Sequence, residues 1–389
     1  MSELTRDGRT LRLAYSMNVH PCETLADLEA AIPAGPADIR RRLFPGKPTG
    51  VGLRLSAAAA DELAANPAAL DRLCALLDRH GLFAFTANVF PFGNFNDGRV
   101  KEAVYRPSWR TRERVAYTIA AAHALARLAG KGSVTLSTVA GGRRADGDDR
   151  AARDEMARNL GQTAGVLHTL REETGVSVRI CLEPEPLTTC ETAADTVEFF
   201  RNHVYPGGER ALHGTARYNA GQATDILHEH LGLCYDTCHQ AVLWEDPVAS
   251  IDRIERSGIV IGKVQLSCAL EGPPAALAAL HEPRYFHQVA AVTGRRADDL
   301  DACASWPEDL ARTHFHVPIF LQHFGGLSTT RPYLEACVGA ILKRDLCRDF
   351  EIETYTWDVI PEVEREQLCG RTLVESLEKE YRYAVELLR

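Results

Sequence analysis

Apolar positions along this chain change period repeatedly. Short runs rich in β-branched and aromatic residues, at 11–19, 50–55, 82–88, 133–139, 178–182, 231–236, 259–267 and 350–355, read as strands. Between them, apolar residues recur at three- and four-residue spacing. Helices are predicted over 24–43 (broken at Pro33-Ala-Gly-Pro36), from Ser56 to His80 (broken at Asn66-Pro67), and over 111–129, 148–174, 220–230 and 247–257, with another from Ala193. Ser56 suits an N-cap and Gly81 a helix C-terminus.

Eight strands alternating with helices predict an α/β chain folded as a closed (β/α)8 TIM barrel, with 1–389 as a single domain. An open doubly wound sheet is the alternative, but the chain lacks both G-x-G-x-x-G and G-x-x-x-x-G-K-[ST]. Two stretches exceed a minimal barrel: 90–110 after strand 3, and 268–349 between strands 7 and 8. The second contains Thr313-His-Phe-His-Val-Pro-Ile-Phe320, an extra strand, and a helix over 330–344. Long loops at that end of a barrel form lids or substrate walls.

Composition narrows the function. The chain has 389 residues, 45% hydrophobic and 25% charged, with a net charge of −9. That balance disfavours nucleic acid and anionic membrane as partners, since both ask for a basic footprint. No run approaches the ~20 apolar residues of a membrane span, and the polar N-terminus has no signal-peptide core. The 11 cysteines are odd in number and include no C-x-x-C, so they read as free thiols of a cytoplasmic protein. A homodimer is left open.

Three strands end in acids. The segment Val178-Arg-Ile-Cys-Leu-Glu183-Pro-Glu185 is one, Leu231-Gly-Leu-Cys-Tyr-Asp236-Thr-Cys-His239 the second, and Glu351-Ile-Glu-Thr-Tyr-Thr-Trp357 the third. Side chains alternate along a strand, so Glu183 shares a direction with Glu185, and Glu351 with Glu353. A carboxylate inside a barrel is costly unless paired or bound to a cation. Strand 7 offers Lys263, Gln265 and Ser267 on one face, Gln265 with a neutral oxygen.

Glu183, Asp236, Gln265 and Glu353 therefore make a candidate set for a divalent ion such as Mn²⁺, Mg²⁺, Co²⁺ or Zn²⁺. Two glutamates on opposite sides of a bound carbon could take and return a proton beside a carbonyl. His239, His20, Asn88, Lys101, His316 and Trp357 are candidate contacts to a sugar-like or polyol substrate. Plainer readings stand beside these. A strand-end Glu also makes rim salt bridges, and Asp-x-x-His also describes an N-cap with an ordinary neighbour. His20 is equally a turn residue. His314 and His316 also read as half-buried strand residues, with His316 as an alternative fourth ligand. Lys101, Arg106 and Trp109 suit either an anion-and-ring pocket or a solvated loop.

Glu183, Asp236-Thr-Cys-His239 and Glu353-Thr-Tyr-Thr-Trp357 resemble the xylose-isomerase-like TIM-barrel superfamily of sugar isomerases, epimerases and endonuclease-IV-type nucleases. Within it the chain is most similar to the EboE-type metabolite traffic proteins. The segments that carry this are Tyr15-Ser-Met-Asn-Val-His-Pro21, Gly50-Val-Gly-Leu-Arg-Leu-Ser56, Asn88-Val-Phe-Pro-Phe-Gly93, Val100-Lys-Glu-Ala-Val-Tyr-Arg-Pro107, Cys181-Leu-Glu-Pro-Glu-Pro186, Val264-Gln-Leu-Ser267 and His314-Phe-His-Val-Pro318. The resemblance implies a divalent metal on Glu183, Asp236 and Glu353, with Glu183 and Glu353 as the acid/base pair. Epimerases of this superfamily usually carry a histidine on the seventh strand, where this chain has Gln265. The function implied is a metal-dependent isomerase or epimerase of a secondary-metabolite pathway. The alternatives are a non-catalytic metabolite-binding barrel and a metal phosphodiesterase, the latter disfavoured by net charge and a single Asp-x-x-His.

Overall fold

A computed structural model of the protein describes residues 3–93, 95 and 100–389. Eight strands form its centre: β1 (Arg9–Ser16), β2 (Thr49–Arg54), β3 (Leu82–Asn88), β4 (Gly132–Val139), β5 (Val176–Glu183), β6 (Leu231–Asp236), β7 (Ile261–Leu266) and β8 (Asp349–Ile352). Each pairs in parallel with the next, and β8 pairs with β1, Asp349 opposite Arg12 and Ile352 opposite Tyr15. The ring is therefore closed, as a (β/α)8 barrel requires. Helices cover the outside, so the strands are enclosed on both sides: every residue of β2, β6 and β7 is buried, the charged ones among them included.

The breaks in the helical pattern are real boundaries. Asn66 accepts a hydrogen bond from Ala69 N and caps Pro67–Arg79, with Pro67 in the first turn where its missing N–H costs nothing. At Pro33-Ala-Gly-Pro36 the helix Leu25–Ala34 gives way to Pro36–Leu43. A Cβ on Gly35 would lie 2.4 Å from His20 Nε2, so this joint needs glycine.

Two strands are shorter at their carboxyl ends than the pattern predicts. β1 stops at Ser16, whose side chain accepts from Asn18 N and starts the 3-10 turn Met17–Val19. β8 stops at Ile352, leaving Glu353 just past the strand.

The 268–349 stretch is more than a loop. Within it, six short strands form a second, antiparallel sheet, in the order Arg296–Ala297, Val289–Ala291, Ala311–Val317, Cys268–Gly272, Leu327–Thr329 and His323–Phe324. The predicted extra strand is Ala311–Val317. Its register against Cys268–Gly272 shifts between Thr313 and Val317, the signature of a bulge, which re-aims side chains. His314 and His316 lie in that shift and are fully buried, not half-buried. In the other insertion, residues 94 and 96–99 of the 90–110 stretch lie outside the described residues.

Candidate functional site

The carboxyl ends of β5, β6, β7 and β8 bring the sequence-predicted acids to one place. Gln265 on β7 donates its amide to Glu183 Oε1 at 2.8 Å and to Glu353 Oε2 at 2.7 Å. Asn18, in the turn after β1, donates to Glu353 Oε1 at 2.5 Å. Asp236 ends β6 and caps the helix Thr237–Val242. Its Oδ1 accepts from Cys238 N at 2.7 Å, His239 N at 3.0 Å and Ser267 Oγ at 2.7 Å. The plain reading of Asp-x-x-His as a cap therefore holds for one carboxylate oxygen, while Oδ2 remains for another use.

Four oxygens at this centre, Asn18 Oδ1, Glu183 Oε2, Asp236 Oδ2 and Gln265 Oε1, are buried without a hydrogen-bond partner among the described residues. Buried polar atoms are nearly always satisfied, so orphans gathered in one place are a feature a bound polar or cationic partner would satisfy. Oxygen donors of this kind fit a divalent cation.

Electrostatics follow from burial of like charges. Burial pushes the Glu183 carboxyl up to about 7, His239 opposing it and Asp236 adding to it. Burial, then Glu183, Asp236 and Glu351, raise Glu353 well above the usual carboxylate range. Burial would also raise Asp236, but His239, His316 and its hydrogen bonds outweigh it and hold this carboxyl low.

Histidines from two parts of the chain complete the centre. His239 Nε2 lies 3.2 Å from His314 Nε2, which lies 2.9 Å from His316 Nε2. Burial lowers His316 to about 4 and His314 well below its ordinary value. His239 is raised: burial opposes protonation, but Asp236, Glu185 and Glu183 outweigh it.

A pocket opens over these groups. Glu183, Glu353, Asn18, His239 and His314 face it from below, and Phe90, Phe95, Tyr285, Phe286 and Tyr355 wall it. Asn88 and Lys101 also line it. Asn88 Oδ1 accepts from Phe90 N, and Lys101 forms an ion pair with Asp299.

Three expected substrate contacts are not among the residues lining the pocket, and one of them is His316, wholly buried against His314. His20 is turned by Met17–Val19 against Tyr15, with Tyr15 Oη 2.6 Å from His20 Nε2, and is not among the residues lining the pocket. Trp357 lies beyond the end of β8 under the Arg365 guanidinium, 5.5 Å from its ring centroid, also away from the lining. Arg106 and Trp109 are likewise not lining residues, and Trp109 is wholly buried.

Sequence reasoning missed His314 as a site residue, and with it Glu185, Tyr105 and Gln288. Tyr105 donates to Glu185 Oε1 at 2.8 Å, and Gln288 donates to the same oxygen at 3.1 Å. The signal for His314 was His-x-His in a predicted strand, which sets two imidazoles on one face. Tyr105 and Gln288 come from the two insertions and carried no such signal.

No family model and no curated protein matches the chain. Solved structures match its fold. A xylose isomerase-like TIM barrel protein from Mycobacterium smegmatis in complex with magnesium is 13% identical, with a TM-score of 0.52 over 97% of this chain and 96% of that one. A D-psicose 3-epimerase crystallised with D-fructose is 12% identical, with a TM-score of 0.48 over 97% and 99%. A zinc-binding IOLI protein is 12% identical, with a TM-score of 0.46 over 97% of each chain. At these identities the likeness is one of fold alone, that of a TIM barrel. Among the described residues, no helix is long and apolar enough to cross a membrane.

Proposed function

We propose that this chain is an isomerase or epimerase acting on a sugar, sugar phosphate or cyclitol-like polyol by proton transfer beside a carbonyl. One observation carries the reading. Glu183 and Glu353 are both buried, both pushed toward the protonated form, and both held by the single amide of Gln265 under an aromatic-walled pocket.

A carboxyl titrating near 7 is poised both to accept and to return a proton at neutral pH. Gln265 and Asn18 fix the two carboxylates in orientation, so one can face the C–H to be broken while the other faces the position to be reprotonated. Return to the opposite face of the same carbon gives epimerisation. Return to the adjacent carbon gives isomerisation. The aromatic wall limits water, which would otherwise compete for the proton. Glu183, Asp236 and Glu353, with Gln265 Oε1, suit a divalent cation such as Mn²⁺, Mg²⁺, Co²⁺ or Zn²⁺, which when bound would polarise the carbonyl and make the neighbouring C–H more acidic.

The segments shared with the EboE-type proteins support a place in a secondary-metabolite pathway for the chain, read as one domain over 1–389. Eleven cysteines, none in a disulfide and all but Cys74 buried, support a reducing, cytoplasmic setting. Metal-assisted phosphodiester hydrolysis is a second reading, favoured by the three imidazoles beside the carboxylates.

The test is incubation of the metal-loaded protein with ketoses, aldoses and keto-cyclitols in D₂O. Solvent deuterium should enter at the carbon next to the carbonyl, and Glu183→Gln or Glu353→Gln should slow this by about 10²–10⁴-fold. Ligand binding without exchange on any candidate would favour a carrier. Cleavage of a phosphodiester without exchange would install the second reading.

A further inference from the structure

A second group of unpartnered polar atoms lies at the opposite end of the barrel from the pocket. His168 stands on the helix Arg150–Thr174, which leads into β5, and Glu229 and His230 end the helix Ala220–His230, which leads into β6. They therefore flank the amino ends of two strands whose carboxyl ends carry Glu183 and Asp236.

His230 is wholly buried. Its Nδ1 lies 2.7 Å from Val178 O, and a carbonyl only accepts, so Nδ1 carries the hydrogen. Burial lowers the His230 pKa, the Val178 carbonyl and Glu229 opposing it and His168 and Arg179 adding to it, so the ring is uncharged and Nε2 presents a lone pair. That Nε2 has no hydrogen-bond partner among the described residues. His168 Nε2 faces Glu172 Oε1 at 3.7 Å, which in the uncharged ring favours the hydrogen on Nε2 and leaves the lone pair on Nδ1. His168 Nδ1 is also buried without a partner among the described residues, and so is the hydroxyl of Tyr218, whose ring packs edge-on to His168 with centroids 5.8 Å apart.

Glu229 adds the negative charge. Its Oε1 accepts from Ser177 Oγ at 2.9 Å and its Oε2 from Arg171 Nη1 at 2.9 Å, and each oxygen keeps a further lone pair. Glu229 Oε2 lies 3.8 Å from His230 Nε2, and His168, Glu229 and His230 each bring a ligand atom within 4.8 Å of the others. A single water could bridge the two imidazoles, but its two hydrogens leave nothing for a third acceptor. Two imidazoles and a carboxylate suit a borderline divalent ion, and two histidines with one glutamate is a three-ligand set that zinc accepts with water in the fourth position. The His168 and Glu229 side chains are 21% and 27% exposed, which gives an ion a path from solvent.

We propose that His168, Glu229 and His230 form a cation site for a divalent ion of the zinc class, which clamps the helix Arg150–Thr174 to the helix Ala220–His230. The site shares no residue with the barrel mouth and does not depend on the proton-transfer reading. An ion bound only by the folded chain stabilises it, and this end of a TIM barrel serves stability.

The test uses the full chain, stripped with a chelator and loaded with Zn²⁺. Bound zinc is counted by mass spectrometry, urea unfolding is followed with and without Zn²⁺, and crystals of the loaded protein are measured across the zinc absorption edge. Wild type should show an anomalous peak between the three side chains. His168→Gln, at a half-buried position on a helix surface, should lose that peak and hold one zinc ion fewer per chain. It should also lose part of the rise in urea midpoint that Zn²⁺ gives wild type. Glu183→Gln, at the mouth, should keep the peak. Zinc at the mouth with only a water between His168 and His230 overturns the proposal and leaves the proposed function untouched. So does a peak seen only at crystal concentration, with equal zinc counts for wild type and His168→Gln in solution. Should His168→Gln fail to fold, the wild-type anomalous map and zinc count decide.

Discussion

The barrel interior holds two stacked layers of buried charge, built from the same strands two residues apart, and they are compensated differently. In the lower layer β7 supplies Lys263 and β8 supplies Glu351, which pair directly, with Ser137 Oγ accepting from Lys263 Nζ at 3.1 Å. In the upper layer β7 supplies Gln265, and the acids are Glu353 and Glu183, with Asp236 beside them. Glu351 and Glu353 are equally buried, at 1% and 3% exposed, so burial does not separate them. The difference is the partner. Below, a lysine matches a carboxylate. Above, an uncharged amide is shared by two carboxylates and a third stands close, with no lysine or arginine ion pair to any of them among the described residues. A buried layer with surplus negative charge and unused lone pairs is built to receive something positive, a proton or a cation. The upper carboxylates thus lack the fixed cation that Lys263 gives the layer beneath.

Removing the matching cation below should have the largest effect. Lys263→Met leaves Glu351 buried and uncompensated, and should cost roughly 3–5 kcal/mol in denaturant unfolding. Adding Glu351→Leu should recover most of that loss, because the penalty belongs to the unpaired charge. If Lys263→Met is nearly neutral, the lower layer is not a closed ion pair and the contrast between layers collapses.

The next effect is steric. Gly52 on β2 faces the lower layer, and a Cβ there would lie 2.0 Å from Glu351 Oε1. Gly52→Ala must push the carboxylate away from Lys263 and should lower stability by about 1–3 kcal/mol. Its effect on deuterium exchange should be much smaller than that of Glu353→Gln, since Gln265, Glu183 and Asn18 hold the upper carboxylates without Gly52.

How much of this contrast was legible in the sequence depends on where each residue comes from. The barrel was legible because β-strand and helix periods alternate eight times, and local periodicity needs no knowledge of distant contacts. Glu183, Asp236, Gln265 and Glu353 were legible as strand-end residues because closing the ring brings strand ends together. The pairing of Lys263 with Glu351 was not, since the register sets Glu351 opposite Gln265 and the contact to Lys263 runs diagonally between the strands. His314 was read as packing because its strand lies in a separate sheet, and the register shift that re-aims it leaves no mark in composition. His20 and Trp357 were assigned to the pocket from their nearness to strand ends. Sequence proximity to a strand end does not give direction once a 3-10 turn intervenes, as it does at Met17–Val19 and Trp357–Val359.

The smallest expected effect per unit of pH tests the upper layer's surplus charge. The folded Glu183 carboxyl is pushed up to about 7, whereas an unfolded glutamate titrates near 4.3. Between those values the folded protein without metal binds more protons than the unfolded chain, so stability falls as pH rises. The stabilisation is fully present below the unfolded value and is lost as pH climbs through about 7, with a slope of at most about 1.4 kcal/mol per pH unit for one proton. Glu353, raised in the same direction, shares this behaviour with Glu183 as a pair, so the slope belongs to both. Urea unfolding of metal-free protein across pH 5–8 should show the decline, and Glu183→Gln should flatten it, because the amide never ionises. Adding a divalent cation should reverse the trend, since a cation replaces the proton as the positive species and carboxylates bind it better as pH rises. Lys263 pairs with Glu351 in the lower layer, so Glu351→Gln should flatten the slope over that window much less than Glu183→Gln. Equal flattening by Glu351→Gln and Glu183→Gln would mean that the two layers do not differ in charge balance.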